Sequence, residues 1–485
     1  MKLPNIDFKY IVIIVLAMII FASYNIISIQ QGHWWDEAVY LSMGKAIQQG
    51  RYSLDANNPV ESFRAPVFSY LLSPFVGSVF AAKLFVLFTV ILSLLGIYYA
   101  GKELFNKDVG LWSSLLVGTN YLFLFFANKV LTEPLLVALF SFSLFTLSKW
   151  SRTKQANYII FTAILSGLML MTRYLSILVI GVYILYIIVA MVKERDKKIA
   201  AHFLFFIAVF LVVLIPWFMI SYKYYGSMAA AFNTNFSVYA VSDIQDFGVG
   251  LSFIASSLGF SLLFFFGLPF IFRERKNIGL LILFILVLTV GLFLTFKHKE
   301  ARYLLTYLPV YSILAAVGIT KLSTKLTRYR IGLIMEIVLL VLFVYTAYSG
   351  ILNVKSDNSS TATLIDAFAD LKSFTLPGET VLTPLYPYSQ YFSQRKAITF
   401  CGEPSDIGNF QECHAKLLKG QGLPLDDIPR LLKEFNVKYI LSYKYEPSDP
   451  QYIIDFLNSD PKFEKVKTYP MFGDHDVVVI YRFKG

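Results

Sequence analysis

The sequence predicts a polytopic α-helical membrane protein with about eleven transmembrane helices, followed by a C-terminal extracytoplasmic α/β domain. Three observations carry that prediction. Of 485 residues, 56% are hydrophobic and only 15% are charged, with a mean hydropathy of +0.60; globular chains run at roughly 45–50% apolar and about 25% charged. The apolar residues gather into stretches of about 20, the length that crosses hydrocarbon. Beyond Leu352 the composition changes abruptly to short apolar runs broken by Pro, Gly and charge. These features exclude a soluble enzyme and a disordered chain, and two cysteines are too few for a disulfide scaffold.

The first span is Tyr10–Ile29, too long and uninterrupted for a signal-peptide core and without a small-residue cleavage site. Ser78–Ala100, Val109–Phe126, Leu131–Ser148, Ala156–Met171 and Leu175–Val192 follow. Ala201–Tyr222, Gly248–Phe272, Ile278–Phe296, Tyr303–Ile319 and Ile331–Ile351 complete the set. Basic residues recur between alternate spans, as in Lys149, Arg152 and Lys154, or Lys193, Arg195, Lys197 and Lys198. That excess puts the N-terminus on the cytoplasmic side, and an odd number of spans puts the C-terminus outside. It also accounts for the net charge of +11 without a nucleic-acid partner, since no basic stripe is interleaved with readout residues.

Two domains are expected. Residues 1–351 form the membrane domain, with a first outer loop over 30–77, and residues 352–485 form the outer α/β domain. In the latter, Thr380–Leu382, Ala397–Phe400, Val437–Ser442 and Val477–Arg482 read as strands; Ser360–Phe374, Asp426–Phe435 and Gln451–Leu457 read as helices. Cys401 and Cys413 fall in this oxidising compartment as a pair or as two unrelated thiols. The sequons at Asn235 and Asn358 fall on the same side.

Charged groups at membrane boundaries are the candidate functional residues. Asp36 and Glu37 follow the first span in Gly32-His33-Trp34-Trp35-Asp36-Glu37, ahead of an apolar-patterned stretch that fits an interfacial helix. They serve either as helix-start acids or as a general base toward a hydroxyl. Arg64, before Ala65-Pro66, fits a phosphate fork or a snorkelling cation. Thr132-Glu133-Pro134 reads first as a helix start, with Glu133 a further candidate. Arg173 sits between two apolar spans. Lys297, His298, Lys299 and Arg302 form a basic cluster on the side where such charge is rare, which suggests anion binding. The five histidines show no metal spacing, and no Walker loop or dinucleotide fingerprint is present, so neither a metal nor a cofactor is expected.

The Asp36-Glu37 pair, Arg64-Ala65-Pro66, Thr132-Glu133-Pro134, Thr172-Arg173-Tyr174 and His298-x-x-x-Arg302-Tyr303-Leu304-Leu305 occur in an order that resembles the GT-C superfamily of polyprenyl-phosphate-sugar-dependent glycosyltransferases. The likeness covers roughly residues 9–351 and is nearest to protein O-mannosyltransferases and the bacterial aminoarabinose transferase. It implies transfer of a sugar from a dolichyl- or undecaprenyl-phosphate to a hydroxyl of a protein, lipid or glycan on the outer face, with inversion. By resemblance Asp36 is the base with Glu37 beside it, while Arg64, Arg173, Lys297, His298, Arg302 and Tyr303 face the donor phosphate. Arg64-Ala65-Pro66 stands where relatives often carry two prolines after the basic residue. Membrane lipids and the acceptor are the other expected partners. Trp34-Trp35-Asp36 lacks the Tyr-Gly that follows in oligosaccharyltransferase motifs, which disfavours en bloc transfer to Asn. The competing class is a transporter or lipid flippase, for which the sequence shows no repeated pair of broken spans.

Overall fold

The computed structural model describes residues 35–54, 64–230, 232–233, 258–274, 279, 281–282, 284–288, 291, 300–327, 332–400, 425, 427–444, 451–470 and 477–485. Tyr10–Ile29, most of Ile278–Phe296, both cysteines and Asn235 lie outside them. The described residues divide into two compact units. One takes Arg64–Phe68 and Lys83–Val354; the other takes 35–54, Ser69–Ala82 and Lys355–Gly485.

In chain order the helices are α1 (Trp35–Gln48), α2 (Pro66–Leu72), α3 (Val79–Leu104), α4 (Lys107–Gly118), α5 (Tyr121–Ala127) and α6 (Glu133–Thr153). There follow α7 (Ala156–Leu170), α8 (Ile177–Glu194), α9 (Lys197–Tyr225), α10 (Phe264–Glu274), α11 (Leu308–Thr327) and α12 (Gly332–Phe374). Among the described residues α3, α6, Tyr174–Glu194 and α9 are long and apolar enough to cross a membrane, against the eleven spans expected for the whole chain. They match the expected Ser78–Ala100, Leu131–Ser148, Leu175–Val192 and Ala201–Tyr222.

The remaining described spans depart from expectation for local reasons. Val109–Phe126 is bent by 67° into α4 and α5. Thr119 ends the first piece, and the Asn120 side chain accepts from Phe123 N–H to cap the second. Ala156–Met171 is the exception, present to within one residue as the 15-residue α7. Ala301–Thr306 coils as a 3-10 segment ahead of α11, whose second residue, Pro309, suits a helix start. The last span runs on past Leu352 as the 43-residue α12, because neither Gly nor Pro interrupts the chain between Gly350 and Pro377.

Close packing inside the helical unit depends on small residues, as between membrane helices generally. A Cβ on Gly267 of α10 would stand 1.9 Å from the Leu314 carbonyl oxygen of α11, and one on Gly110 of α4 would meet Tyr98 O of α3 at 2.5 Å. Ion pairs tie helix ends together. Glu103 of α3 meets Lys149 at 2.7 Å and Arg152 at 2.9 Å near the end of α6, and Lys154 meets Glu194 at the end of α8. At about 1.5 Å per residue α6 is roughly 30 Å long, a hydrocarbon thickness, so Glu133 and this basic end lie on opposite faces.

The second unit holds a five-stranded mixed sheet in the order β2 (Lys396–Ile398), β1 (Thr380–Leu382), β3 (Tyr439–Lys444), β5 (Val477–Phe483), β4 (Phe463–Pro470). β1 pairs in parallel with β2 and β3, while β5 pairs antiparallel with β3 and β4. Helices α13 (Asp427–Glu434) and α14 (Gln451–Ser459) contribute Ile428, Leu432, Ile453 and Leu457 to a core with Leu382, Ile440, Val479 and Tyr481. The four expected strands are present, and β4 is additional. It is an edge strand with a bulge between Lys465 and Lys467 and a run of exposed residues, so it lacks the alternation that marks a strand in sequence.

Helix α1 belongs to this unit and is not an amphipathic strip. Residues from Glu37 to Ala46 are buried nearly all round. Ser42 Oγ donates to Pro387 O at 2.9 Å, Trp35 meets Tyr386 edge-on, and Gly44 lets Val76 approach.

Two predictions follow from this packing. The Gly267→Ala methyl has backbone in its way, so overpacking should cost about 1–3 kcal/mol and lower Tm in a detergent melt; an unchanged Tm would contradict the packing. In the second unit, Asp370 accepts from Lys467 and Tyr469, and those bonds hold its carboxyl below the usual aspartate range. A depressed folded-state pKa gives stability that is present above the unfolded value of about 3.9 and fades as pH falls through the folded one. Asp370→Asn should therefore destabilise this unit at pH 7 and flatten its loss of stability below about pH 4, as read by hydrogen exchange across the sheet.

Candidate active site

Glu133 is the first residue of α6, and its side chain is only 3% exposed. A helix N-terminus favours a carboxylate there, but burial of the charge demands a cation as well. Arg173 supplies it: Nη1 donates to Glu133 Oε1 at 2.7 Å. Thr132, expected as the cap, makes no cap bond; its hydroxyl lies 3.5 Å from Glu133 Oε2.

Arg173 reaches Glu133 because its loop is anchored on both sides. Met171 and Thr172 close α7 through bonds to Gly167 O and Met169 O, and Arg173 then takes an extended conformation. Tyr174 beyond it is buried, and its hydroxyl accepts from Trp217 Nε1 of α9 at 3.0 Å. Val67 N–H donates to Met171 O at 2.8 Å, which brings the Arg64-Ala65-Pro66 turn alongside the same loop.

The 3-10 segment before α11 completes the cluster. Arg302 Nε lies 2.5 Å from Glu300 Oε2 and 3.9 Å from Glu133 Oε1, and Arg302 Nη2 donates to Glu300 Oε1 at 3.1 Å. Tyr303 donates to Glu300 Oε1 at 2.8 Å, and its ring lies 4.7 Å beneath the Arg173 guanidinium. Three short motifs far apart in sequence thus meet as one array of two arginines, two glutamates and a tyrosine. Glu300 was missed as a candidate. The available signal was its place two and three residues before Arg302 and Tyr303 in one extended-to-3-10 turn.

The other candidates fall elsewhere. Asp36 and Glu37 occupy the first turn of α1 in the second unit; Glu37 is fully buried and Asp36 is partly accessible. Asp36 lies inside the helix and not at its cap. Lys297 and His298 lie outside the described residues. Among the described residues no three His, Cys, Asp or Glu side chains group as ligands of a metal would.

With this geometry in hand, comparison with known proteins is informative. Residues 9–381 match the model of the Alg9-like mannosyltransferase family. The chain belongs to that family. This membrane mannosyltransferase-family protein shares its fold with ArnT from Cupriavidus metallidurans bound to undecaprenyl phosphate, at 13% identity, a TM-score of 0.69 and 98% coverage of each chain. It also shares it with the Archaeoglobus fulgidus oligosaccharyltransferase, at 12% identity and a TM-score of 0.62 over 90% of this chain and 70% of that one. The same archaeal enzyme, AglB, in complex with an inhibitory peptide and a dolichol-phosphate matches at a TM-score of 0.61. No curated protein sequence matches the chain. The GT-C resemblance read from the motifs and the glycosyltransferase class are thereby established, and the transporter reading loses its ground.

The Glu133 pairing is testable in this family member by a double-mutant cycle. Glu133→Gln removes the buried negative charge opposite the partly buried Arg173 guanidinium and should cost about 1–3 kcal/mol. Adding Arg173→Gln should restore part of it, with a coupling of about 1–3 kcal/mol in thermal or denaturant unfolding. Additive losses would show that the two side chains do not share their stabilisation.

Proposed function

We propose that the protein transfers a mannosyl or related sugar from a polyprenyl-phosphate donor to an acceptor hydroxyl, with inversion at the anomeric carbon. The reading rests on one observation: in a chain of the Alg9-like mannosyltransferase family, the Glu133, Arg173 and Arg302-Tyr303 motifs converge on a single array around the buried Glu133. The ligands bound in the fold relatives, undecaprenyl phosphate and a dolichol-phosphate, support the lipid-phosphate donor.

In this mechanism Asp36 accepts the acceptor's hydroxyl proton while that oxygen attacks the anomeric carbon from the face opposite the phosphate. The carbon–oxygen bond to phosphate breaks, and the lipid phosphate departs with the bonding electrons. The helix dipole favours a carboxylate in the first turn of α1, and the partial exposure of Asp36 leaves the acceptor access. Arg64, Arg173, Arg302 and Tyr303, with Lys297 and His298, stabilise the charge growing on the leaving phosphate. Each guanidinium presents five N–H donors, so a glutamate on one edge orients it without exhausting it. Glu133 and Glu300 are positioning residues in this scheme. With the N-terminus in the cytoplasm, Asp36, which follows the first expected span in sequence, falls on the outer face.

Reconstituted protein supplied with radiolabelled polyprenyl-phosphate mannose and a crude membrane acceptor fraction should move label from lipid to a new product. Asp36→Asn should cut that transfer by about 10²–10⁴, the worth of a general base, with Tm and membrane insertion unchanged. Near-normal transfer by the variant would overturn the role of Asp36. No turnover with any lipid-phosphate sugar tested would overturn the donor assignment.

A further inference from the structure

The second unit contains an open cleft of about 530 Å³ that none of the proposed chemistry uses. It lies where the last turns of α1 face the chain around Gln390–Ala397. Four of its described lining residues are cations, Lys45, Arg51, Arg395 and Lys396, and no described lining residue is an acid. Lys372 adds a fifth positive charge close enough to be felt at Lys45.

Two of these cations are held without a carboxylate. Lys45 Nζ donates to Tyr391 O at 3.1 Å and stands 4.0 Å over the Tyr391 ring. Arg395 is buried and spends its guanidinium on neutral oxygens: Thr375 Oγ1 at 2.8 Å, Thr375 O at 2.6 Å, Lys372 O at 3.1 Å and Ser393 O at 3.2 Å. Of the described acids, Glu379 is near enough to feel the Arg395 charge but bonds Lys438, and Asp370 pairs with Lys467. Burial and the neighbouring Lys372 push the Lys45 ammonium below the usual lysine range, so the site holds positive charge at a cost that an anion would relieve. The α1 carbonyls do not supply that anion, because Gln49, Gly50 and Arg51 N–H groups already bond Ala46 O and Ile47 O.

Four glutamine carboxamides and two serines complete the wall. Gln48 and Gln390 are fixed by bonds to Ser73 O and Leu54 O, which turns their carboxamide oxygens into placed acceptors for hydroxyls. Cations with fixed amides suit a sugar bearing an oxyanion better than a bare lipid headgroup. Lys45 stands nine residues along α1 from Asp36, on the order of 14 Å along the axis. A charged sugar bound here is therefore remote from a hydroxyl reacting at Asp36.

We infer that this cleft binds an anionic glycan, the phosphate- or carboxylate-bearing part of the acceptor. Its role as acceptor rests on the transferase reading above; binding itself does not. The test is amine acetylation of the full-length protein in phosphatidylcholine nanodiscs, read per lysine by mass spectrometry. Mannose 6-phosphate or glucuronate should protect Lys45 and Lys396, mannose should not, and exposed Lys462 and Lys484 should serve as unprotected references. Asp36→Asn protein should show the same protection, which separates this site from any failure of the transfer assay. Lys45→Met should raise the mannose 6-phosphate needed to protect Lys396 by about tenfold, the loss of one charge-assisted bond. Protection by nothing, or equally by mannose, would overturn the site. Protection only when the nanodiscs contain phosphatidic acid would overturn the glycan in favour of a lipid headgroup.

Discussion

A carboxylate withdrawn from water at the N-terminus of a membrane helix is the constraint around which the helical unit is built. Burying the Glu133 carboxylate is costly unless a cation is brought to it. Arg173 comes from a loop 40 residues later, at the turn between α7 and α8. Arg302 comes from the 3-10 segment ahead of α11. Several otherwise unrelated features serve that meeting. Trp217 fixes Tyr174, Val67 holds Met171, and the glycine contact between α10 and α11 packs the helix that follows Arg302.

The sequence revealed the spans wherever apolar length and punctuation agreed. Leu131–Ser148 and Leu175–Val192 needed nothing more. It failed where one signal had two meanings. Gly118-Thr119-Asn120 inside an apolar run ends one helix and caps the next, which periodicity alone does not report. A change of composition at Leu352 marks a new environment, but without Gly or Pro the helix itself continues. Strand β4 was hidden because an edge strand with exposed lysines carries no alternation.

The site was legible as an ordered set of motifs but not as a set of partners. Thr132-Glu133-Pro134 has the composition of a helix start, and it is one. That local reading accounts for the backbone and leaves the carboxylate's direction open; only the tertiary structure turns it to Arg173. Arg302 was read with Lys297, His298 and Lys299 as an anion holder. Its nearest carboxylate, Glu300, stood two residues away in the same run. Helix α1 was read as interfacial from its aromatics, yet most of its residues from Glu37 to Ala46 are buried, in part against the chain near Tyr386 and Val76, segments too distant for any local pattern to indicate.

Charge is distributed in the two units according to what each can tolerate. In the helical unit, two glutamates balance two arginines within one array, because an uncompensated charge in a low dielectric costs several kcal/mol. In the second unit, an open cleft gathers four cations among its described lining residues, where solvent access weakens their repulsion. The balance in the first case has a mechanistic consequence. A donor phosphate set against Glu133, Arg173, Glu300 and Arg302 brings negative charge to four residues that already sum to zero. In the proposed transfer Arg173 and Arg302 would still offer donors to the leaving group, but net positive charge would have to be added by cations outside those four. Arg64, beside the Arg173 loop, and the Lys297-His298-Lys299 run that precedes Glu300 in sequence are the proposed sources of that charge.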